Sequence, residues 1–239
     1  MRVLLILPAL AFSPWDHEAM AARALVLEGG DAPRFSASAA AEDWNLPRKW
    51  TRWHHYHSPS FDVHSFGRHP SHERVETLDA RLRAAVAEGN SARAWQYAGF
   101  IAHHLQDMAS PPHVVPVAHG LNDGFESWPF EAAIASTTIA PPPNSDWTPM
   151  SGQASLASAT LAALEVPLGC DDAPVPWSRF WQARPGGFGV LGDLRFGTAP
   201  GCAAGTARFA EDRVGAAVAE TRALIRYVRS LEAGSVAGG

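Results

Sequence analysis

The sequence predicts an all-α protein, and three observations carry that expectation. Two amphipathic stretches, 71–88 and 91–108, stand back to back and are separated only by a Gly-Asn break. A third, 206–231, is long and repeats Phe209, Val214, Val218, Leu224, Ile225, Val228 and Leu231 at helical intervals. The chain contains no β-rich block, no internal repeat, and neither a GxGxxG nor a P-loop motif. At 239 residues with 46% hydrophobic content, the chain fits one domain with an ample core. Nine Trp indicate a rigid helical core or aromatic-lined clefts. Charged residues are sparse at 18% and the net charge is −5, which argues against phosphate-backbone binding through a basic surface. It leaves room for a metal site that binds phosphate, because bound cations add positive charge locally.

Taken in order, Met1–Ala11 reads MRVLLILPALA: one Arg, an apolar run and the small-x-small end Ala9-Leu10-Ala11. This has the shape of a secretory signal, though shorter than the usual length of about 15–30 residues. It predicts a secreted or periplasmic protein, with residues 12–239 as a single all-α catalytic domain; an apolar N-terminal strand is the other reading. Ser13-Pro14-Trp15-Asp16 marks a helix start, with Ser as N-cap, Pro in the first turn and an early acidic residue. That helix runs to Leu27 or Glu28, where Gly29-Gly30 stops it. Residues 31–69 show no long periodic pattern. They carry Asp43 and the run His54, His55, Tyr56, His57.

The helix 71–88 buries Val75, Leu78, Leu82, Ala85 and Val86. The next, 91–108, has Trp95, Ala98, Ala102 and Leu105 at helical spacing and is closed by Pro111-Pro112. A helix is expected from about Asp123 to Ala135, another over 152–164, and irregular chain over 166–203. Cys170 and Cys202 lie in that last stretch, either as separate thiols or as one disulfide of an exported protein.

The candidate site is concentrated in 95–126, which holds His103, Asp107, His113, His119 and Glu126. His103 and Asp107 are four apart on a helix and project from one face. His113 follows the Pro pair, which holds it close to the helix end. Nitrogen and oxygen ligands without thiolates suit catalytic rather than structural zinc. More than four ligands implies more than one metal.

These residues resemble the zinc-dependent phospholipase C family, related to the fungal zinc single-strand nucleases. The family carries H-x-x-x-D on a helix, a Pro-His whose His lies six beyond the Asp, then a His and an acidic residue. Here these are His103-His104-Leu105-Gln106-Asp107, Pro112-His113, His119 and Glu126. Upstream, Asp43 and His55-Tyr56-His57-Ser58-Pro59 are similar to the family's Asp and its H-F-Y-D-P-like segment. The nuclease branch places a His five residues after its mature N-terminus; cleavage after Ala11 would leave Phe12 first and His17 five beyond it. The motifs cover roughly residues 12–130.

The resemblance implies a multi-helix bundle of the phospholipase C and zinc nuclease type, with three zinc ions. Asp43, His55, His103 and a bridging Asp107 would hold the first. His113, His119 and Glu126 would hold the second. Asp107, His17 and the main-chain amino and carbonyl groups of Phe12 would hold the third. Asp43 would orient or deprotonate the attacking water. The chain departs from the pattern in two places: Phe12 replaces the usual Trp, and Asn122 stands where the phospholipases often place a His four residues before the Glu. Asn122 and Asp123 therefore remain alternatives to His119, as do His54 and His57 to His55, and Glu42 to Asp43.

The implied activity is phospholipase C hydrolysis of glycerophospholipid to diacylglycerol and a phosphorylated headgroup. It brings transient contact with a membrane surface and no obligate protein partner. The acidic ligand Glu126 leans toward this branch, since the nucleases typically use Asp there. The alternatives are a single-strand nuclease acting on nucleic acid and a non-catalytic zinc-binding helical protein.

Overall fold

The computed structural model describes residues 12–44, 55–57, 70–118, 123–138, 146–185 and 187–237. It is mostly helical, in agreement with the all-α expectation. None of its helices, among the described residues, is long and apolar enough to cross a membrane.

The first helix, α1 (Pro14–Leu27), starts as its sequence dictates. Ser13 Oγ accepts from the Asp16 amide at 3.3 Å, and Asp16 Oδ2 accepts from the Ser13 amide at 2.8 Å. This reciprocal capping satisfies donors that the first turn would otherwise leave bare. Gly29 ends the helix with a positive φ of 64°, which costs glycine little.

A second helix, α2 (Pro33–Trp44), lies in the stretch whose sequence shows no long periodic pattern. Its sequence, PRFSASAAAEDW, is Ala- and Ser-rich, so few large side chains mark a period. It is stabilised by packing: Phe35, Ser38, Ala39, Ala40, Glu42 and Asp43 are buried.

Helices α3 (Ser71–Ala87) and α4 (Ser91–Asp107) match the two amphipathic stretches. Asn90 caps α4 by accepting from the Arg93 amide at 3.1 Å. Contacts with α1, α2 and α3 surround α4, and every residue from Ile101 to Asp107 is buried. The neighbouring helices enclose the last two turns of α4, so its polar residues there lie inside the protein.

The approach of α2 to α4 requires Gly99. A Cβ at that position would collide with the Phe35 carbonyl and the Ser38 side chain. Gly99 sits one turn before His103, so this close approach also sets the position of the α2 backbone beside that imidazole.

After α4 come the single turn α5 (Pro111–Val114) and α6 (Glu131–Ser136). The helix expected from Asp123 begins eight residues later. Asp123 Oδ1 accepts from the Phe125 amide at 2.9 Å and its carbonyl accepts from Ser127 Oγ at 2.9 Å, so local turns replace helix there. Pro129 further disfavours helical geometry at Trp128. Helix α7 (Pro149–Ala163) follows, capped by Thr148 and Ser151, and α8 (Ala203–Ala237) closes the described chain. It packs on α1, α4, α6 and α7.

The stretch 166–203 departs from expectation by containing a small antiparallel hairpin, β1 (Trp181–Arg184) and β2 (Gly187–Leu191). The Gly189 amide donates to the Pro116 carbonyl at 2.8 Å, and the Ala118 amide donates to the Gly189 carbonyl at 3.1 Å. The hairpin thereby clamps the chain just after His113. Cys170 and Cys202 form a disulfide that joins the segment before the hairpin to the start of α8.

Replacing Gly99 with Ala should lower the unfolding free energy by roughly 1–3 kcal/mol, the usual cost of overpacking a tight helix contact. Urea denaturation measures it. An unchanged midpoint would mean that α2 and α4 can separate without penalty.

Candidate metal centre

Asp107, the last residue of α4, is fully buried among imidazoles. Its Oδ2 lies 2.8 Å from His55 Nδ1 and 3.3 Å from His103 Nε2. Its Oδ1 lies 3.5 Å from His17 Nε2 and accepts no hydrogen bond among the described residues. Asp43, from α2, faces the same group: its Oδ1 is 3.9 Å from His103 Nε2 and its Oδ2 is 3.9 Å from His17 Nε2.

Three of the imidazoles are anchored alike. His103 donates from Nδ1 to the Ala39 carbonyl at 2.9 Å, His113 donates from Nδ1 to the His55 carbonyl at 2.7 Å, and His17 donates from Nδ1 to Gln106 Oε1 at 2.7 Å. In each case Nε2 turns toward a carboxylate. Anchoring one ring nitrogen to fix the other is the usual outer arrangement around a metal-ligating His.

His55 Nδ1 lies within hydrogen-bond distance of Asp107 Oδ2 and of His103 Nε2, at 2.8 and 3.0 Å, but three other spacings fit a shared cation better than a direct hydrogen bond. Ligands held about 2.0–2.2 Å from one zinc ion lie roughly 3–4 Å from one another. The pairs His17–Asp107 at 3.5 Å, His103–Asp43 at 3.9 Å and His113–Glu126 at 3.7 Å fall in that range. All are longer than good N–H···O bonds. Three groups bring their ligand atoms within 4.8 Å of one another: His17, His103, Asp107; Asp43, His55, His103; and His55, His104, Asp107. These buried clusters could hold a metal ion.

The sequence-predicted ligands therefore divide as follows. His17, Asp43, His55, His103 and Asp107 converge on one buried cluster. His113 and Glu126 pair beside it. The 55–57 segment links the two, since the His57 amide donates to the His113 carbonyl at 2.9 Å, and Tyr56 stacks on the His113 ring at 5.2 Å. Phe12 is buried, with its ring edge-on to His17 at 5.9 Å. His119, Asn122 and His54 lie outside the described residues, as does Met1–Ala11.

The alternatives have different surroundings. Glu42 receives a hydrogen bond from Arg74 at 2.9 Å and lies 3.5 Å from His104 Nε2. Asp123 uses its second oxygen to accept from Trp181 Nε1 at 3.3 Å. His57 is only half-buried, whereas His55 belongs to two of the three clusters.

Two buried residues were not foreseen as part of the site. His104 joins one cluster and contacts Ser71 Oγ through Nδ1 at 3.1 Å; Ser71 in turn accepts from Gln153 at 2.7 Å. Gln106 holds His17. Their neighbours on α4 drew attention because they matched a motif. His104 and Gln106 become recognisable only once α4 is known to be enclosed on every side.

The electrostatics place the positive charge on His103. Burial opposes its protonation, but the Asp107 and Asp43 carboxylates outweigh burial and raise its pKa to about 9. Burial, with the neighbouring His103 charge, lowers His17 to about 4. Burial also works to raise Asp107, yet the His103 charge and its hydrogen bonds hold that carboxyl well below its ordinary value. His103 thus stands in for a cation in the metal-free protein.

Comparisons with known protein families, curated proteins and solved structures find no match to this chain.

A cation entering this cluster at pH 7 must displace the His103 proton. Uptake should release at least one proton, and affinity should rise about tenfold per pH unit until the pH nears 9. Calorimetric titration in two buffers of different ionisation enthalpy measures this. Affinity that is flat between pH 7 and 9 would contradict the protonation assigned to His103.

Proposed function

We propose that this chain is a secreted or periplasmic zinc-dependent phosphodiester hydrolase, with the fold type of the phospholipase C family it resembles. The supporting observation is the common anchoring of His17, His103 and His113 through Nδ1, which turns three Nε2 atoms toward Asp107, Asp43 and Glu126. A helical protein without metal gains little from burying so many imidazoles and carboxylates together, because each must be desolvated.

His17, Asp43, His55, His103 and Asp107 would hold two cations that share Asp107, with the Phe12 main chain contributing to one of them. His113 and Glu126 would hold a third with His119. Bound zinc would supply positive charge for the phosphate oxygens and lower the pKa of water. Asp43 accepts a proton from the attacking water as its oxygen bonds to phosphorus. The phosphorus–oxygen bond to the glycerol oxygen breaks, and the proton taken up by Asp43 is returned through solvent to the departing alkoxide, so that one water is consumed overall. The products are diacylglycerol and a phosphorylated headgroup.

A lipid substrate is favoured over nucleic acid by two features. Glu126 is the acidic ligand type of the phospholipase branch. Trp15 and Trp44, both exposed, meet edge-on at 6.3 Å on the helix pair that carries His17 and Asp43. Exposed Trp suits the water–lipid interface, where transient contact would occur. Such rings can also stack on bases, so single-stranded DNA belongs in the assay.

The purified protein should contain zinc and cleave a chromogenic phosphorylcholine ester. Activity on single-stranded DNA alone would reverse the substrate assignment, and no phosphodiesterase activity would leave a metal-binding protein. Asp43→Asn should lower kcat by about 10²–10⁴-fold through loss of the general base, and should weaken the cation it shares with His55 and His103. Full activity of that variant would remove Asp43 from the chemistry.

A further inference from the structure

His103 and His113 donate from Nδ1 to backbone carbonyls, which no side-chain substitution removes. Of these three Nδ1 anchors, the one that holds His17 is a side chain, that of Gln106. The orientation of that amide is set from its far side. Thr221 Oγ1 donates its own hydrogen to the Ala217 carbonyl at 2.8 Å, one turn back on α8. Toward Gln106 it can therefore only accept, and it receives Gln106 Nε2–H at 3.2 Å. With its nitrogen toward Thr221, the amide must present its oxygen to His17. His17, Gln106 and Thr221 are all fully buried.

This arrangement selects between two tautomers of His17. Without an acceptor at Nδ1, the ring would favour a proton on Nε2, where Asp107 Oδ1 lies 3.5 Å away. That alternative bond would occupy a ligand atom on each residue and oppose cation entry. A proton held on Nδ1 by Gln106 leaves the Nε2 lone pair directed at Asp107 and Asp43.

We propose that Gln106 is a positioning residue. Through Thr221 on α8, it locks His17 as the Nδ1–H tautomer and thereby sets the affinity of the cation held between His17 and Asp107. The proposal rests on the metal-centre reading above.

The test uses the full chain with Gln106→Met, Gln106→Glu and Thr221→Val variants, and zinc as the probe. Equilibrium dialysis with elemental analysis counts cations per chain, and nitrogen NMR of the metal-free protein reads the His17 tautomer. In Gln106→Met one class of zinc site should weaken about 10–100-fold, the usual cost of losing an outer partner, while the others keep their affinity. The His17 signals should move toward the Nε2–H pattern. Gln106→Glu keeps an oxygen opposite Nδ1 and should restore most of the affinity. Thr221→Val should give a smaller loss than Gln106→Met.

Wild-type zinc affinity and an unchanged tautomer in Gln106→Met would overturn this inference and leave the metal centre intact. Equal weakening of every site together with a lowered melting temperature would also overturn it, as the signature of a merely structural residue. A wild-type protein that binds no zinc would overturn both the inference and the metal-centre reading.

Discussion

The Asp107 carboxylate is the constraint around which the structure is arranged. A carboxylate removed from water costs several kcal/mol unless charge and hydrogen bonds replace the solvent. Here His55, His103 and His17 surround it, and His103 carries the compensating charge. Only an element enclosed on every side could deliver Asp107 to such a place. Helix α4 meets that requirement, since it contacts α1, α2, α3, α7 and α8.

Each neighbour of α4 contributes something chemical as well as apolar cover. Helix α2 comes close enough, across Gly99, for the Ala39 carbonyl to hold His103, and it brings Asp43 to face the same imidazole. Helix α1 brings His17 directly after its Ser13–Asp16 capping pair. Helix α8 supplies Thr221 and so reaches His17 through Gln106. The hairpin β1–β2 stands outside the helices and holds the chain after His113, while Phe188 packs against Tyr56 beneath it. The framework of helices and the ligand geometry are thus the same set of contacts.

Legibility of this arrangement in the sequence depended on side-chain size. Helices α1, α3, α4 and α8 announced themselves through caps, glycine stops and large apolar residues at helical spacing. The Ala- and Ser-rich α2 carried no such period, because its close approach to α4 demands small residues. The turn at Asp123 was read as helix because its Asx hydrogen bonds and its tie to Trp181 depend on partners that a local pattern does not reveal. In the site, ligand chemistry made His17, Asp43, His55, His103, Asp107, His113 and Glu126 visible. The residues that orient them were not visible, since a Gln, a Thr and a backbone carbonyl acquire their roles only from tertiary neighbours.

The central claim is that Asp107 and its imidazoles are a cation site rather than a buried ion-pair cluster. Anomalous diffraction at the zinc absorption edge, from crystals grown with zinc, tests it most directly. The account predicts peaks on both sides of the Asp107 carboxylate, one toward His55, His103 and Asp43 and one toward His17. Crystals showing zinc only at the protein surface, with His103 still bonded to Asp107, would contradict it.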